Sequence, residues 1–361
     1  MKYTLQITLA LMFLILLMSV SSIGNDEVRG IYIKKTTAIQ TDMLQSSQGR
    51  FECIKDAPEA QTSSEQMNKI YLFDKDEGRI LVTVREYLVG VLAAEMPASY
   101  EIEALKAQAV ASRTYLFYKM INGGCSRHDG CAICTASGHC QGYLSRAERE
   151  TRWGEDFEKY EQKLVEAVKA TENQFLIHNG RIINAMYHSS SCGMTESYSS
   201  VYGGNNKYLL SVSTPEGVEH TLRSKSIEAE EILKIMKEKY PEAGIAKEDV
   251  MRIRIASKTQ SGRVSRVRIG SITLSGGTFA GLIGLKSTDF SFTCSGSRFD
   301  FIYHGSGHGV GMSQVGASIM ARESDYKSIL MHYYTSVELT NDPLLLQETL
   351  SYLTRGGCAE K

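Results

Sequence analysis

A net charge of either sign is missing from this chain: 40 Lys and Arg stand against 41 Asp and Glu, a formal charge of -1. So close a balance gives no general attraction to nucleic acid or to an anionic membrane surface, and recognition has to come from local chemistry. Proline is scarce as well. Five prolines against 31 glycines exclude a proline-rich linker protein, and the glycines gather in short clusters that read as turns beside functional loops. Low-complexity segments and internal repeats are absent. What is present, 42% hydrophobic and 22% charged residues over 361 positions, suffices to bury a substantial core.

Residues 5–20 (LQITLALMFLILLMSV) carry no charge and lie between Lys2 and the group Asp26, Glu27 and Arg29. This is the pattern of an export signal. Extended through Ile23 it reaches the lower limit of the ~17–25 residues that span a bilayer, so it is read as a cleaved signal or a retained anchor. Lys2 on the short leading side puts the amino terminus inside and the body outside. A buried core helix is the rival reading, disfavoured because core helices are rarely uncharged all round. The expected organisation is a signal or anchor over 1–24, a tether with edge strands over 25–79, one large extracytoplasmic region over 80–340, and a tail over 341–361.

Within the body, residues 80–84 (ILVTV) read as a strand leading into an apolar, alanine-rich stretch that Pro97 ends. Residues 98–120 read as a long helix, with Leu105, Ala109, Ser112 and Leu116 at helical spacing. Charged and amphipathic helices follow over 156–170 and 227–240, and strands over 174–177, 181–187, 250–255, 264–269 and 299–303. Strands mixed with helices out of strict alternation predict an α+β (mixed α/β) fold rather than a doubly wound sheet.

Three features bear chemistry. Glu95 is a lone carboxylate in the apolar run 91–96, where desolvation raises a carboxyl pKa and suits it to donate a proton. Its bland alternative is a buried ion pair with an arginine such as Arg113. The loop Cys125-x2-His128-x2-Cys131-x2-Cys134-x4-His139-Cys140 packs six soft or borderline ligands into sixteen residues, a density that points to zinc. A disulfide is the competing reading, because the compartment outside the membrane permits oxidation. Residues 304–314 (HGSGHGVGMSQ) hold four glycines among eleven positions, costly to order unless the backbone must approach something closely. Cys192 has no acyl-transfer signature around it, and the glycines between His304 and His308 argue against a helical metal pair.

Tyr87-Leu88-Val89-Gly90-Val91, Ala94-Glu95-Met96-Pro97 and the stretch from Glu103 through Tyr115 closely resemble the opening motif of the stage II sporulation protein D family. Tyr187-His188-Ser189-Ser190-Ser191-Cys192-Gly193 with Thr195-Glu196 resembles its middle motif, and His304 to Gln314 its carboxyl-terminal signature. The resemblance implies a peptidoglycan lytic transglycosylase with Glu95 as its single catalytic carboxyl. Arg113 would then hold Glu95 or a substrate oxygen, and Tyr187, His188, Ser190, Thr195, His308 and Gln314, polar groups within these motifs, would either hydrogen-bond sugar groups or fill satisfied structural roles. Some members of that family carry a metal through an arrangement matching His128, Cys134, His139 and Cys140, which makes a structural zinc the expected cofactor.

The resemblance further implies glycan strands as substrate, a membrane partner and a cell-wall amidase as co-workers, no nucleic acid, and a setting between mother-cell and forespore membranes during engulfment. Two alternatives stand beside this reading: a glycan-binding enhancer of an amidase, and a zinc hydrolase built on the Cys/His loop.

Overall fold

The computed structural model describes residues 69–342 and Leu345. The apolar run 5–20, the tether as far as residue 68 and nearly all of the tail lie outside the described residues. Among the described residues no helix is long and apolar enough to cross a membrane.

The chain opens with a hairpin of β1 (Lys69–Asp74) and β2 (Gly78–Thr83), antiparallel with Ile70 opposite Val82. Helix α1 (Val84–Glu95) follows without a linker, its first turn capped by the Thr83 hydroxyl, which accepts the Glu86 N–H at 3.1 Å. Pro97 forces Met96 into extended backbone and ends the helix at Glu95. Helix α2 (Ile102–Ile121) runs through the centre of the body, burying Leu105, Ala109, Ser112 and Leu116 as their spacing predicts.

After the Cys/His loop, in which β3 (Ile133–Cys134) lies parallel to β1, come α3 (Arg146–Trp153) and α4 (Phe157–Ala170). Strands β4 (Phe175–His178), β5 (Arg181–Ile182) and β6 (Tyr187–His188) take the place of the two strands expected over 174–187. Two short helices, α5 (Tyr198–Tyr202) and α6 (Val218–Thr221), lead into β7 (Leu222–Glu228) and α7 (Ala229–Lys239).

Helix α8 (Lys247–Met251), strands β8 (Arg254–Lys258), β9 (Val264–Ile269) and β10 (Ile272–Ser275), helix α9 (Gly276–Leu282), and strands β11 (Asp289–Ser295) and β12 (Arg298–His304) complete a second region. The chain then returns through β13 (Met312–Ser313), α10 (Gln314–Met320), α11 (Tyr326–Tyr333) and β14 (Glu338–Thr340). The α+β expectation holds.

Two element expectations are corrected. The strand read over 250–255 is instead the end of α8 followed by β8, because Asp249 folds back to accept the Ala246 N–H at 3.0 Å and starts a helical turn. The helix read from residue 227 begins at Ala229, because Ile227 and Glu228 pair with Phe299 and Arg298 across β12. Local periodicity carries no information about that distant partner.

The apolar side chains form two main cores. One joins Leu88, Leu92 and Leu105 with Val110, Phe175, Met312 and Tyr333; the other joins Ile232, Met236, Val267, Phe279, Phe299 and Phe301. The second belongs to a region whose first and last strands pair with each other, Leu222 opposite His304, so it enters and leaves the body at one place.

Candidate active site and metal centre

Three distant segments meet at one cleft of about 320 Å³. Helix α1 delivers Glu95 at its end, and β6 and β13 lie side by side in parallel, Tyr187 opposite Met312 and His188 opposite Ser313. The glycines of residues 304–314 make that approach possible. At Gly311, with φ +76°, a Cβ would lie 1.9 Å from the Met186 carbonyl oxygen. The chain leaving the Cys/His loop packs across α1, with the Leu144 N–H on the Gly90 carbonyl at 3.1 Å and the Tyr143 ring where a Cβ on Gly90 would sit, 2.3 Å away. That contact explains a glycine inside a helix.

Glu95 is held from three sides. The Gly142 N–H donates to Oε1 at 2.7 Å, the Gln314 amide donates to Oε2 at 3.2 Å, and the Tyr187 hydroxyl reaches the carboxyl as well. Tyr187 is itself oriented by Gln141, whose amide donates to its hydroxyl at 2.7 Å while accepting from Tyr87 at 2.7 Å. Burial nevertheless raises the Glu95 pKa against these donors, which act to lower it. A position at the negative end of α1 works in the same direction as burial. Among the described residues that line the cleft, Glu95 is the only carboxyl.

His188 and His308 also line the cleft. The His188 Nδ1–H donates to the Val310 carbonyl at 3.3 Å, so its Nε2 accepts from the Ser191 hydroxyl at 2.6 Å. Burial, then His308 and Arg263, hold His188 well below its ordinary pKa; burial and Arg263 bring His308 to about 4. Both rings are neutral at pH 7. Tyr115 and the half-exposed Tyr202 add aromatic faces suited to the apolar side of a sugar ring.

Other expectations are corrected. Arg113 does not enter the cleft: it is buried and donates to the carbonyls of Val168, Thr171 and Gln174, closing the end of α4. Ser190 pairs through its backbone with Ser306, and Thr195 is buried with its hydroxyl tied to Val212; neither lines the cleft. Sequence reading missed Gly142, Gln141 and Tyr202, and also Glu216, a buried carboxylate that accepts the Ser191 N–H and the Ser313 hydroxyl and so ties the middle motif to the carboxyl-terminal one. Nothing short-range marks Glu216, whereas Gly142 stands directly after the last residues of the Cys/His loop.

The Cys/His loop converges, with one exchange of ligand. Donor atoms of Cys125, Cys134, His139 and Cys140 all lie within 4.8 Å of one another. His139 Nδ1 is 3.7, 3.4 and 3.3 Å from the sulfurs of Cys125, Cys134 and Cys140. A tetrahedral zinc with ordinary bond lengths separates sulfur from nitrogen by about 3.6 Å, so the cradle fits such an ion. The Ser126 hydroxyl meets His139 Nε2 at 3.0 Å and turns Nδ1 toward the sulfurs. These three thiols are unbridged.

His128 is the expected ligand that does not join: its ring stacks on Phe73 of β1, centroids 3.5 Å apart. Four protein donors would leave a bound ion no open position, the pattern of a structural site rather than a hydrolytic one. His139 and Cys140, three and two residues before Gly142, also line the Glu95 cleft.

Comparison with known proteins bears on the same segments. The family model described as stage II sporulation protein matches residues 79–178, the stretch that carries Glu95, the Cys/His loop and Gly142. Stage II sporulation protein D of Bacillus subtilis (strain 168) is 30% identical over 274 residues, 75% of this chain and 78% of its own. The protein of the same name from Bacillus amyloliquefaciens is 29% identical over 273 residues, with the same shares of 75% and 78%. An amidase enhancer of Bacillus subtilis (strain 168) is 28% identical over 305 residues, 70% of this chain and 40% of that protein. With the family's motifs gathered at one cleft and this likeness over three quarters of its length, the chain belongs to the stage II sporulation protein D family.

Proposed function

We propose that this protein is a lytic transglycosylase that cuts peptidoglycan strands between N-acetylmuramic acid and N-acetylglucosamine and leaves 1,6-anhydro ends. The observation that carries the reading is the solitary, partly buried carboxyl of Glu95 in a cleft lined by tyrosines, histidines and small residues. A hydrolytic glycosidase needs a second carboxylate, as nucleophile or as base for water. A single one serves the anhydro route. Protonated Glu95 gives its proton to the bridging oxygen as the bond from C1 breaks; the resulting carboxylate takes the proton of the sugar's own C6 hydroxyl, whose oxygen closes on C1. The proton count is restored and no water enters. Gly142 and Gln314 steady the carboxylate in the interval, and Tyr187 keeps it aimed.

The Cys/His cluster would hold a structural zinc, which fixes the path of residues 141–144 across α1. Residues 5–20 would anchor the chain in the cell membrane, with the body outside in the space between mother-cell and forespore membranes, beside a membrane partner and a cell-wall amidase. One relative's name, amidase enhancer, favours a second reading in which the cleft grips glycan and stimulates a partner without cutting.

Purified chain incubated with denuded glycan strands separates the two. Products lighter than the hydrolysed strand ends by one water support the enzyme, and Glu95→Gln should lower their rate by ~10²–10⁴ while strand binding persists. Unaltered strands, or a variant as fast as the parent, would sink it.

A further inference from the structure

Arg263, between β8 and β9 in the region with the second core, is 2% exposed and donates in two directions. One guanidinium nitrogen meets the Ser287 hydroxyl of its own region at 3.0 Å; another crosses to the hydroxyl of Ser191, 72 residues away in the chain, at 2.8 Å. Asp289, Glu196 and Glu216 act on the group through space and favour its charge, so it stays a cation although buried. A glycine at 309 gives it room: with φ +80°, a Cβ there would lie 2.8 Å from the centre of the guanidinium.

The contact with Ser191 fixes the direction of every hydrogen bond beyond it. A guanidinium can only donate, so the Ser191 oxygen accepts from it and the hydroxyl proton must point elsewhere. His188 Nε2, 2.6 Å away, takes that proton. A carbonyl can only accept, so on the far side of the ring the Val310 oxygen requires a proton on Nδ1, at 3.3 Å. With a group that only donates at one end and a group that only accepts at the other, His188 has one arrangement, neutral with its proton on Nδ1. A second proton on Nε2 would face the Ser191 hydroxyl proton and the Arg263 charge behind it; burial and His308, with ring centroids 5.9 Å apart, weigh the same way. No carboxylate offsets this at the ring: Glu216 bonds the Ser191 N–H instead, and Glu95 is held by Gly142 and Gln314.

We propose that Arg263 is a positioning residue for the Glu95 cleft: through Ser191 it locks His188 in one neutral tautomer, and so holds β6 where Tyr187 aims Glu95. The proposal rests on the reading of that cleft as a glycan-cleaving site. Strand β6 is only Tyr187 and His188, and among the described strands it pairs with β13 alone, so side-chain contacts have to keep it in place. Tyr187 turns its hydroxyl to the Glu95 carboxyl, while the next residue is gripped from behind by the relay. With both nitrogens engaged by the protein, His188 exchanges no proton with a substrate; it is a fixed support beside the group that does. The region with the second core thereby acts on the rate through one arginine, as supporting contacts do for a positioned acid.

The test reads His188 directly, by nitrogen NMR of the full chain with isotope-labelled histidine, its signals identified by their loss in His188→Gln. In the parent they should report a proton on Nδ1 and no titration from about pH 5 to about pH 8. Ser191→Ala, which removes one oxygen, and Arg263→Gln, which removes the charge, should each move the two nitrogens toward averaged values and bring a titration into that range. Arg263→Lys keeps a charge and a donor and should fall nearer the parent than Arg263→Gln. On purified glycan strands, kcat should drop about tenfold in Ser191→Ala and Arg263→Gln with KM within about twofold. Unchanged nitrogen signals in Ser191→Ala overturn the relay, and an unchanged kcat beside altered signals overturns its positioning role. A loss confined to KM makes these groups part of strand binding and overturns that role as well. If Arg263→Gln does not fold, Ser191→Ala decides alone. The nitrogen signals need no turnover: a parent that releases no anhydro ends, beside signals altered in Ser191→Ala, would sink the transglycosylase reading and leave the relay standing.

Discussion

Glu95 accepts hydrogen bonds from Gly142 and Gln314 that would normally favour the carboxylate, and burial outweighs them. Because the folded-state pKa lies above that of the unfolded chain, the fold favours the neutral acid. The stability this gives is fully present below the ordinary carboxylate range and is lost as pH rises through the raised value. Glu95→Gln cannot ionise. Its melting temperature should match the parent's in acid and exceed it at neutral pH; a variant less stable than the parent at neutral pH would show that the carboxylate is held favourably and is no resting acid. The cleavage rate should fall along the same limb, with its midpoint above the usual carboxylate value, since the free enzyme must present the proton. His308, brought down to about 4, stays neutral across that limb and does not blur it.

The Cys/His loop shows how an element acts on that carboxyl from a distance. Parallel pairing of β3 with β1 fixes Cys134, the Cys125 N–H bonds the Cys131 carbonyl, and the chain then passes His139 and Cys140 into Gln141 and Gly142, the two residues that orient Tyr187 and Glu95. The bidentate pair of Arg149 with Glu161, both contacts 2.8 Å, pins α3 to α4 just beyond. Metal analysis of purified protein should find one zinc, lost in Cys125→Ser and Cys134→Ser but retained in His128→Ala, whose ring packs on Phe73 instead. Loss of metal should also make residues 125–140 sensitive to protease, since binding energy at such a site is folding energy. Zinc absent from the His128 variant and present in the Cys125 variant would restore the ligand set expected from the sequence.

At the scale of the molecule, the region from β7 to β12 carries its own aromatic core, in which Phe279, Phe290, Phe299 and Phe301 pack with ring centroids 5.9 to 6.3 Å apart. It joins the body where Leu222 faces His304, and Arg263 reaches across to Ser191. Such a region should open as a unit. Phe301→Ala, which empties a fully buried ring position, should cost that unit about 3–5 kcal/mol. In native-state hydrogen exchange, protection of amides in β7, β9 and β12 should fall together while those of α2 keep theirs. An equal loss in α2 would mean that the two cores unfold as one.

The sequence by itself determined the α+β class, the helix that carries Leu105 to Leu116, the lone acid before Pro97, and a dense group of side chains able to ligate a metal, because each is written in local composition and spacing. Four glycines within residues 304–314 announced a close backbone approach, and all four adopt positive φ. Only the tertiary structure decided what those groups touch. Arg113 is drawn to the unsatisfied carbonyls ending α4, a partner more than fifty residues away that no spacing predicts. His128 lost its place to Cys125 because Phe73, on a strand far earlier in the chain, offered its ring a flat apolar face. Burial and hydrogen-bond satisfaction are settled by whichever groups the fold brings within a few ångströms, and those come from anywhere in the chain.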